Sequence, residues 1–285
     1  MLAGKTTLSS RFHSLLFPSQ QRPKFLILLP IHRPPEILPY AISSVMQQTE
    51  QDFQLHIISD GAPDETTDEL IRVAKTDRRI TAHIFPKGKR NGEAYRDPII
   101  RETNADFVCQ IADDDIWFPN HLSEVEQLLR NYDFGHTIQT LVTPDEGLKA
   151  RIGDLSDPDT ISKMLNREFN LFGPTASGYK VSAYLRLEEG WTAAPDDVWT
   201  DLFMWRKFLR QKGISTGSRW SFTNINLAAS CQLEYSVEER AAINKEWWQT
   251  ISDPDQLDDL IQALNKHLLV DRSSPWLRWP ETSEP

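Results

Sequence analysis

An unbroken apolar run, KFLILLPI at residues 24–31, leaves this chain few architectures. A strand with one wet face alternates apolar and polar residues, whereas a strand buried on both faces reads as continuous hydrophobics and needs helices on either side. Pro30 is expected to end that strand. EILPYAISSVMQQ then places Ile37, Leu38, Ala41, Ile42 and Val45 at helical spacing, with Pro39 tolerated in the first turn. FQLHIISDG alternates Phe53, Leu55 and Ile57 as a second strand that stops at Asp60-Gly61. DETTDELIRVA predicts a second helix burying Leu70, Ile71 and Ala74, ITAHIF at 80–85 a third strand, and DFVCQI at 106–111 a fourth. This alternation predicts an α/β fold with a mostly parallel, doubly wound sheet. Ligands of such sheets lie beyond the carboxyl ends of the strands, where Asp60 and Asp113–Asp115 fall.

Charge removes several function classes. With 31 basic against 41 acidic residues the net charge is −10, which argues against a nucleic-acid partner and leaves any anionic ligand to a metal or to local dipoles. Two cysteines, Cys109 and Cys231, in no metal-binding spacing, point to a reducing, cytoplasmic setting. The longest apolar block near the N-terminus, Phe25–Leu29, is far short of the ~20 residues that span a bilayer. Residues 1–23 carry Lys5, Arg11 and Arg22 but no acid, and are expected to form a flexible basic leader; peripheral contact with anionic lipid is the alternative. GKTT at 4–7 lacks the upstream glycine and the strand of a phosphate loop and is set aside.

Farther along, PNHLSEVEQLLRNY predicts a helix burying Leu122, Val125 and Leu129, and residues 143–178 read as less regular. DDVWTDLFMWRKFLRQKG predicts a helix with Val198, Leu202, Trp205 and Leu209 inward, ended by Gly213, with Asp197 and Asp201 four apart on one face. SDPDQLDDLIQALNKHLL predicts a last helix capped by Asp253. Eight of nine tryptophans follow residue 190, where flat sugar faces could stack on them; core packing is the alternative for most.

The stretch CQIADDDIWFPNHL sets three aspartates side by side. Adjacent carboxylates repel by roughly 1–4 kcal/mol per pair, so something offsets the cost. A solvated turn would do it; so would Mg²⁺ or Mn²⁺, for which oxygen-only ligands are suited.

The order LLPIHRP, AISSVMQQTEQDFQLHIISDGAPDETTDEL, RNGEAYRD and QIADDDIWFPNHL, over roughly residues 24–130, resembles the family 2 glycosyltransferases, whose nucleotide-sugar domain has the GT-A fold. The resemblance implies a GT-A domain over 24–235, with a nucleotide-binding half at 24–118 and an acceptor-binding half at 119–235, followed by a helical extension at 236–285. It implies that Pro30 and His32 lie near the nucleotide, that Asp60 accepts a hydrogen bond from the base, and that Asp114 faces the ribose. Asp113 and Asp115 would mark the Mg²⁺ or Mn²⁺ site that grips the diphosphate, with most weight on Asp115. Arg96 would lie near the donor, a surface salt bridge being the alternative. The donor would be a nucleotide-diphosphate sugar, UDP-sugar favoured, and the acceptor a glycan, lipid-linked or small-molecule hydroxyl. Such enzymes invert the anomeric centre with an Asp or Glu base that begins a later helix. Here Asp201 is the first choice and Asp197 the second; capping the helix is the alternative role for Asp196 and Asp197.

This sequence departs from the family pattern in two places. Ser59-Asp60 replaces the usual acidic pair, and TGSRW at 216–220 has Thr216 where processive members carry glutamine, so transfer of a single sugar is expected. A haloacid-dehalogenase phosphatase would need Thr or Val where Trp117 stands, and a nucleotidyltransferase would need a glycine-rich basic loop after its first strand. A GT-A-fold protein that binds a sugar or a partner without turnover is the non-enzymatic alternative.

Overall fold

The computed structural model describes residues 22–143, 147–227, 234–270 and 276–278. Residues 1–21 of the basic leader, with its GKTT, fall outside the described residues, while Arg22 pairs with Asp106. In the first half, β1 (Phe25–Ile31), α1 (Leu38–Met46), β2 (Phe53–Asp60), α2 (Asp64–Ala74), β3 (Ile80–Phe85), α3 (Arg96–Glu102) and β4 (Phe107–Gln110) alternate as expected. β1 lies between β2 and β4 and β2 pairs with β3, all in parallel. Pro30 does not end β1: it sits within the strand opposite Ile58, and β1 runs on to Ile31.

β1 is buried on both faces, as its composition requires. Phe25, Ile27, Leu29 and Ile31 pack with Leu38, Ala41 and Val45 of α1 and Leu70 of α2. Leu26 and Leu28 pack on the opposite side, in the cluster that holds Ile99 and Ile100 of α3. Each such side chain contributes roughly 1.5–3 kcal/mol when fully buried, so this strand anchors the domain.

The second half holds β5 (Ile116–Trp117), α4 (His121–Asn131), β6 (Phe134–Val142), β7 (Gly147–Arg151), α5 (Pro158–Asn166), β8 (Ser177–Lys180), α6 (Val181–Tyr184), α7 (Thr200–Arg210), β9 (Thr216–Phe222) and β10 (Asn224–Ile225). β8 inserts antiparallel between β4 and β6 and turns the parallel sheet into a mixed one. β7 joins β6 antiparallel and β9 joins it in parallel, so 143–178 is more regular than its turn-rich sequence suggests. α8 (Val237–Ser252) and α9 (Pro254–Val270) follow, then β11 (Trp276–Arg278), which pairs with β7. The C-terminal extension is therefore not only helical: it also contributes a strand to the main sheet.

One expected helix is shorter than its sequence pattern. α7 begins at Thr200, not at Asp196, with Trp199 at the N-cap, and it ends at Arg210, before Gly213. Val198 and Asp197 therefore lie in the preceding turn, and Asp197 is exposed there and shares no helical face with Asp201. Among the described residues no helix is long and apolar enough to cross a membrane.

Candidate active site

The site forms at the carboxyl edge of the parallel strands. His32 lies one residue beyond β1, Asp60 is the last residue of β2, and Asp113–Asp115 follow β4. Pro30 is partly buried and His32 exposed at this edge. Asp60 is buried and accepts hydrogen bonds from Lys87 Nζ and from the Gly88 amide at 2.6 Å. The turn that closes over it needs Gly92: φ is +63°, and a Cβ there would lie 2.5 Å from Asp60 Cγ. A carboxylate has about four acceptor sites, so Asp60 keeps capacity for a further donor.

The three aspartates are all buried, at 3–4% exposure, and do not point one way. Residues 113–114 form a turn rather than extended chain, so the side-chain alternation of a strand does not hold here. Asp113 and Asp114 both face Arg33, whose Nε is 2.9 Å from Asp113 Oδ2 and whose guanidinium donates to Asp114 Oδ2 at 3.0 Å. Arg240 of α8 approaches the same Asp114 oxygen at 3.2 Å, and Asn244 donates to the Asp114 carbonyl at 2.9 Å.

Asp115 turns into the protein instead. One carboxylate oxygen accepts from Thr175 Oγ1 and Asn226 Nδ2, the other from the Leu227 amide at 2.9 Å. The expectation places most metal weight on Asp115, whose oxygens are here engaged by three neutral donors. Burial, then the charge of Asp114, push the carboxyls of Asp113 and Asp115 above the usual range. The turn is thus short of positive charge even with Arg33 beside it.

A divalent cation fits the Asp113–Asp114 pair in ligand chemistry. Among the described residues no three acidic, His or Cys side chains converge on a metal position. Mg²⁺ is commonly held by one or two carboxylates with substrate phosphates and water completing its shell, so two suffice.

Arg96 opens α3 and is buried, its guanidinium 4.7 Å from the Trp191 ring centroid, which excludes the surface salt bridge. Burial lowers its pKa, against the opposing charges of Glu93 and Asp60.

Asp201 lies in the first turn of α7. Its carboxylate accepts from Asn170 Nδ2 at 2.7 Å and from the Leu202 amide at 2.9 Å, and burial pushes its pKa up. Asp196 is fully exposed and pairs with Arg90. One short segment touches both acidic sites. Thr175 bonds Asp115, while a Cβ on Gly173 would lie 3.8 Å from Asp201 Oδ2. The donor-side turn also reaches α7, through Thr200 Oγ1 to Glu93 at 2.8 Å.

Beside Asp201 a cleft of about 330 Å³ is lined by Lys149, Arg151, Phe169, Asn170 and Trp199 among others. Trp199 is 47% exposed, whereas Trp117, Trp191 and Trp205 are core residues. Sequence reasoning missed Arg33, Thr175, Asn226, Asn170 and Arg240. Arg33 alone carried a signal, as the neighbour of His32 in LLPIHRP.

The sequence pattern described as Glycosyl transferase family 2 matches residues 26–184. The chain is similar to the succinoglycan biosynthesis protein ExoW of Rhizobium meliloti, 33% identical over 112 residues that cover 39% of this chain and 35% of that protein. It is also similar to WfgD of Escherichia coli, a UDP-Glc:alpha-D-GlcNAc-diphosphoundecaprenol beta-1,3-glucosyltransferase, 23% identical over 37% of this chain and 41% of that one. The matches thus span less than half of these relatives' length. In fold it resembles S. aureus TarS (residues 1–349) in complex with UDP-GlcNAc, with a TM-score of 0.55 at 14% identity over 88% of this chain and 74% of that one. A mannosyltransferase of Pyrobaculum calidifontis in complex with GDP-Man and Mn²⁺ gives 0.51 at 12% identity, over 88% and 77%.

Proposed function

The chain belongs to glycosyl transferase family 2, and from that premise we propose that it moves one sugar from a nucleotide-diphosphate sugar, UDP-sugar favoured, to an acceptor hydroxyl with inversion. The observation that carries this reading is the pairing of two acidic sites by one segment, Gly173–Thr175: a buried turn flanked by arginines at the sheet edge, and partly buried Asp201 held by neutral donors. The nucleotide-sugar complexes of the two structural neighbours support a donor of this class.

In this reading Asp60, at the end of β2, accepts from the base, while His32 and Pro30 border the nucleotide. Asp113 and Asp114 would hold Mg²⁺ or Mn²⁺, and such an ion, when bound, spreads the charge of the departing diphosphate. Asp115 does not reach the donor; it fixes the turn through Thr175, Asn226 and Leu227. Asp201 takes the proton of the acceptor hydroxyl as its oxygen attacks the anomeric carbon. The bond from that carbon to the diphosphate breaks, and the electron pair leaves with the nucleoside diphosphate. A base needs a pKa near the working pH, and burial moves Asp201 in that direction. Trp199 and the cleft around it would receive the acceptor.

A thermal-shift screen of UDP-, GDP- and dTDP-sugars, each with Mn²⁺ and with EDTA, tests the proposal. A ligand at a hundred times its dissociation constant adds about 2.7 kcal/mol, enough to raise the melting point by several degrees. One nucleotide class should do so, more strongly with Mn²⁺, and release its diphosphate when a sugar acceptor is added. No shift with any nucleotide sugar would overturn the reading.

A further inference from the structure

Among the described residues the buried Nε of Arg96 and of Arg240 has no hydrogen-bond acceptor, and Arg33 Nε, 2.9 Å from Asp113 Oδ2, makes an ion pair there without hydrogen-bond geometry. All three sit at the carboxyl edge of the sheet or against it. Arg33 follows β1, Arg96 opens α3 beside Asp60 and Glu93, and Arg240 reaches Asp114 from α8. A buried donor without a partner costs roughly 1–3 kcal/mol, more on a charged group, and Arg33 and Arg240, which meet at one Asp114 oxygen, are placed to take acceptor oxygens from outside the chain.

Arg240 is the unexpected member. It lies 56 positions beyond the last residue of the family match, in a helix whose sequence, VEERAAINKEWWQTIS, reads as an ordinary surface helix. Yet its side chain is only 12% exposed, and α8 is locked to the acidic turn by Asn244, itself buried, which donates to the Asp114 carbonyl. A capping box at Ser236 and Glu239 starts α8 one turn before Arg240, so the helix presents this side chain from a fixed end. Arg33 and Arg240 share a single Asp114 oxygen. One carboxylate oxygen with two guanidinium groups leaves several N–H donors over, which suits a second, more highly charged anion.

Resting on the glycosyltransferase reading, we propose that Arg240 is a donor-binding residue: with Arg33 it grips the diphosphate of the nucleotide sugar, so that the C-terminal helix α8 completes the donor site. The local charge supports this. The acidic turn and a diphosphate together concentrate negative charge at one edge, and fixed guanidinium groups are the chain's own means of meeting it.

The test separates charge recognition from structure. Affinities of the full chain for UDP and uridine, and for GDP and guanosine, are measured by calorimetry with and without Mn²⁺, for the wild type and for Arg240→Gln. The variant should lose roughly 10- to 100-fold in affinity for the diphosphate and stay within about twofold for the nucleoside, the loss expected of one charged hydrogen-bonding group. Equal losses for both, or no loss for either under both conditions, would overturn the proposal. Should Arg240→Gln not fold, Arg240→Lys keeps the charge but not the fork, and a selective loss of at least threefold is then the expected result, its absence the refutation. A wild type that binds neither the nucleosides nor the nucleotides refutes the glycosyltransferase reading itself, a separable outcome.

Discussion

The protein holds aspartate in two opposite settings. At the acidic turn, Asp113 and Asp114 meet arginine side chains, and Asp114 has two of them on one oxygen. Asp201, 87 positions after Asp114, is partly buried and is held by an amide side chain and a backbone amide, with no arginine or lysine bonded to it among the described residues. The physics of the difference is simple. At the turn fixed positive charge opposes protonation, although burial and the charge of Asp114 still hold Asp113 above the usual carboxylate range. A carboxylate that must collect a proton during reaction is better left to neutral donors, with burial raising its proton affinity toward the working pH. In the proposed reading the first site binds and the second transfers the proton.

The sharpest way to break that contrast is to neutralise each site in turn. Asp201→Asn should lower kcat by roughly 10³-fold, within the 10²- to 10⁴-fold range of general acid–base catalysis, with the KM for the donor little changed. Asp114→Asn should act chiefly on the KM for the donor. Steady-state kinetics with varied donor checks both; comparable kcat losses with an unchanged KM in the two variants would erase the distinction.

Asp115 refines the comparison, because within the acidic turn it has the surroundings of a structural residue. Truncation by Asp115→Ala strands the Thr175 hydroxyl, the Asn226 amide and the Leu227 amide, all buried. At 1–3 kcal/mol per stranded group the loss is about 3 kcal/mol or more, a fall of roughly 6–12 °C in melting point. Differential scanning calorimetry measures it, and a variant as stable as the wild type would return Asp115 to the ligand set.

The two regions were also unequally legible in the sequence. At the sheet edge, β1 announces itself because a strand buried on both faces is locally apolar and β2 by its alternation, and Asp60 falls at the end of β2 and the acidic turn after β4. β6 gave no such signal: FGHTIQTLV buries His136, Thr137, Gln139 and Thr140, and the polarity of the first three is met by distant partners. His136 meets Ser218 at 2.8 Å, Thr137 meets Thr223 at 2.7 Å, and Gln139 accepts from the Gly173 amide at 2.6 Å. Hydrogen bonds across 34 to 86 positions leave no local periodicity to read. The start of α7 was misplaced for a related reason. The 196–198 turn is held from outside, by Arg90 bonding the Asp196 carboxylate and the Val198 carbonyl, so helical spacing alone overran it. Arg240 was invisible because its partner, Asp114, lies 126 positions away.

The smallest effect tests whether neutral donors tune the base. Asn170 Nδ2 donates to Asp201 Oδ2 at 2.7 Å, an orientation fixed by the carboxylate, which can only accept. A donor of this kind stabilises the ionised form, so Asn170→Ala should raise the Asp201 pKa above its already elevated value. The sign follows from the role. A general base works deprotonated, so activity is present above its pKa and is lost as pH falls through it; a higher pKa moves the acidic limb of the kcat profile to higher pH. At neutral pH the cost should stay below about tenfold, and on the alkaline plateau the variant should approach the wild type, since the base is ionised in both. A limb that stays in place while the whole profile drops uniformly would mean that Asn170 shapes the cleft without touching the proton, and would leave burial alone to explain how Asp201 is tuned.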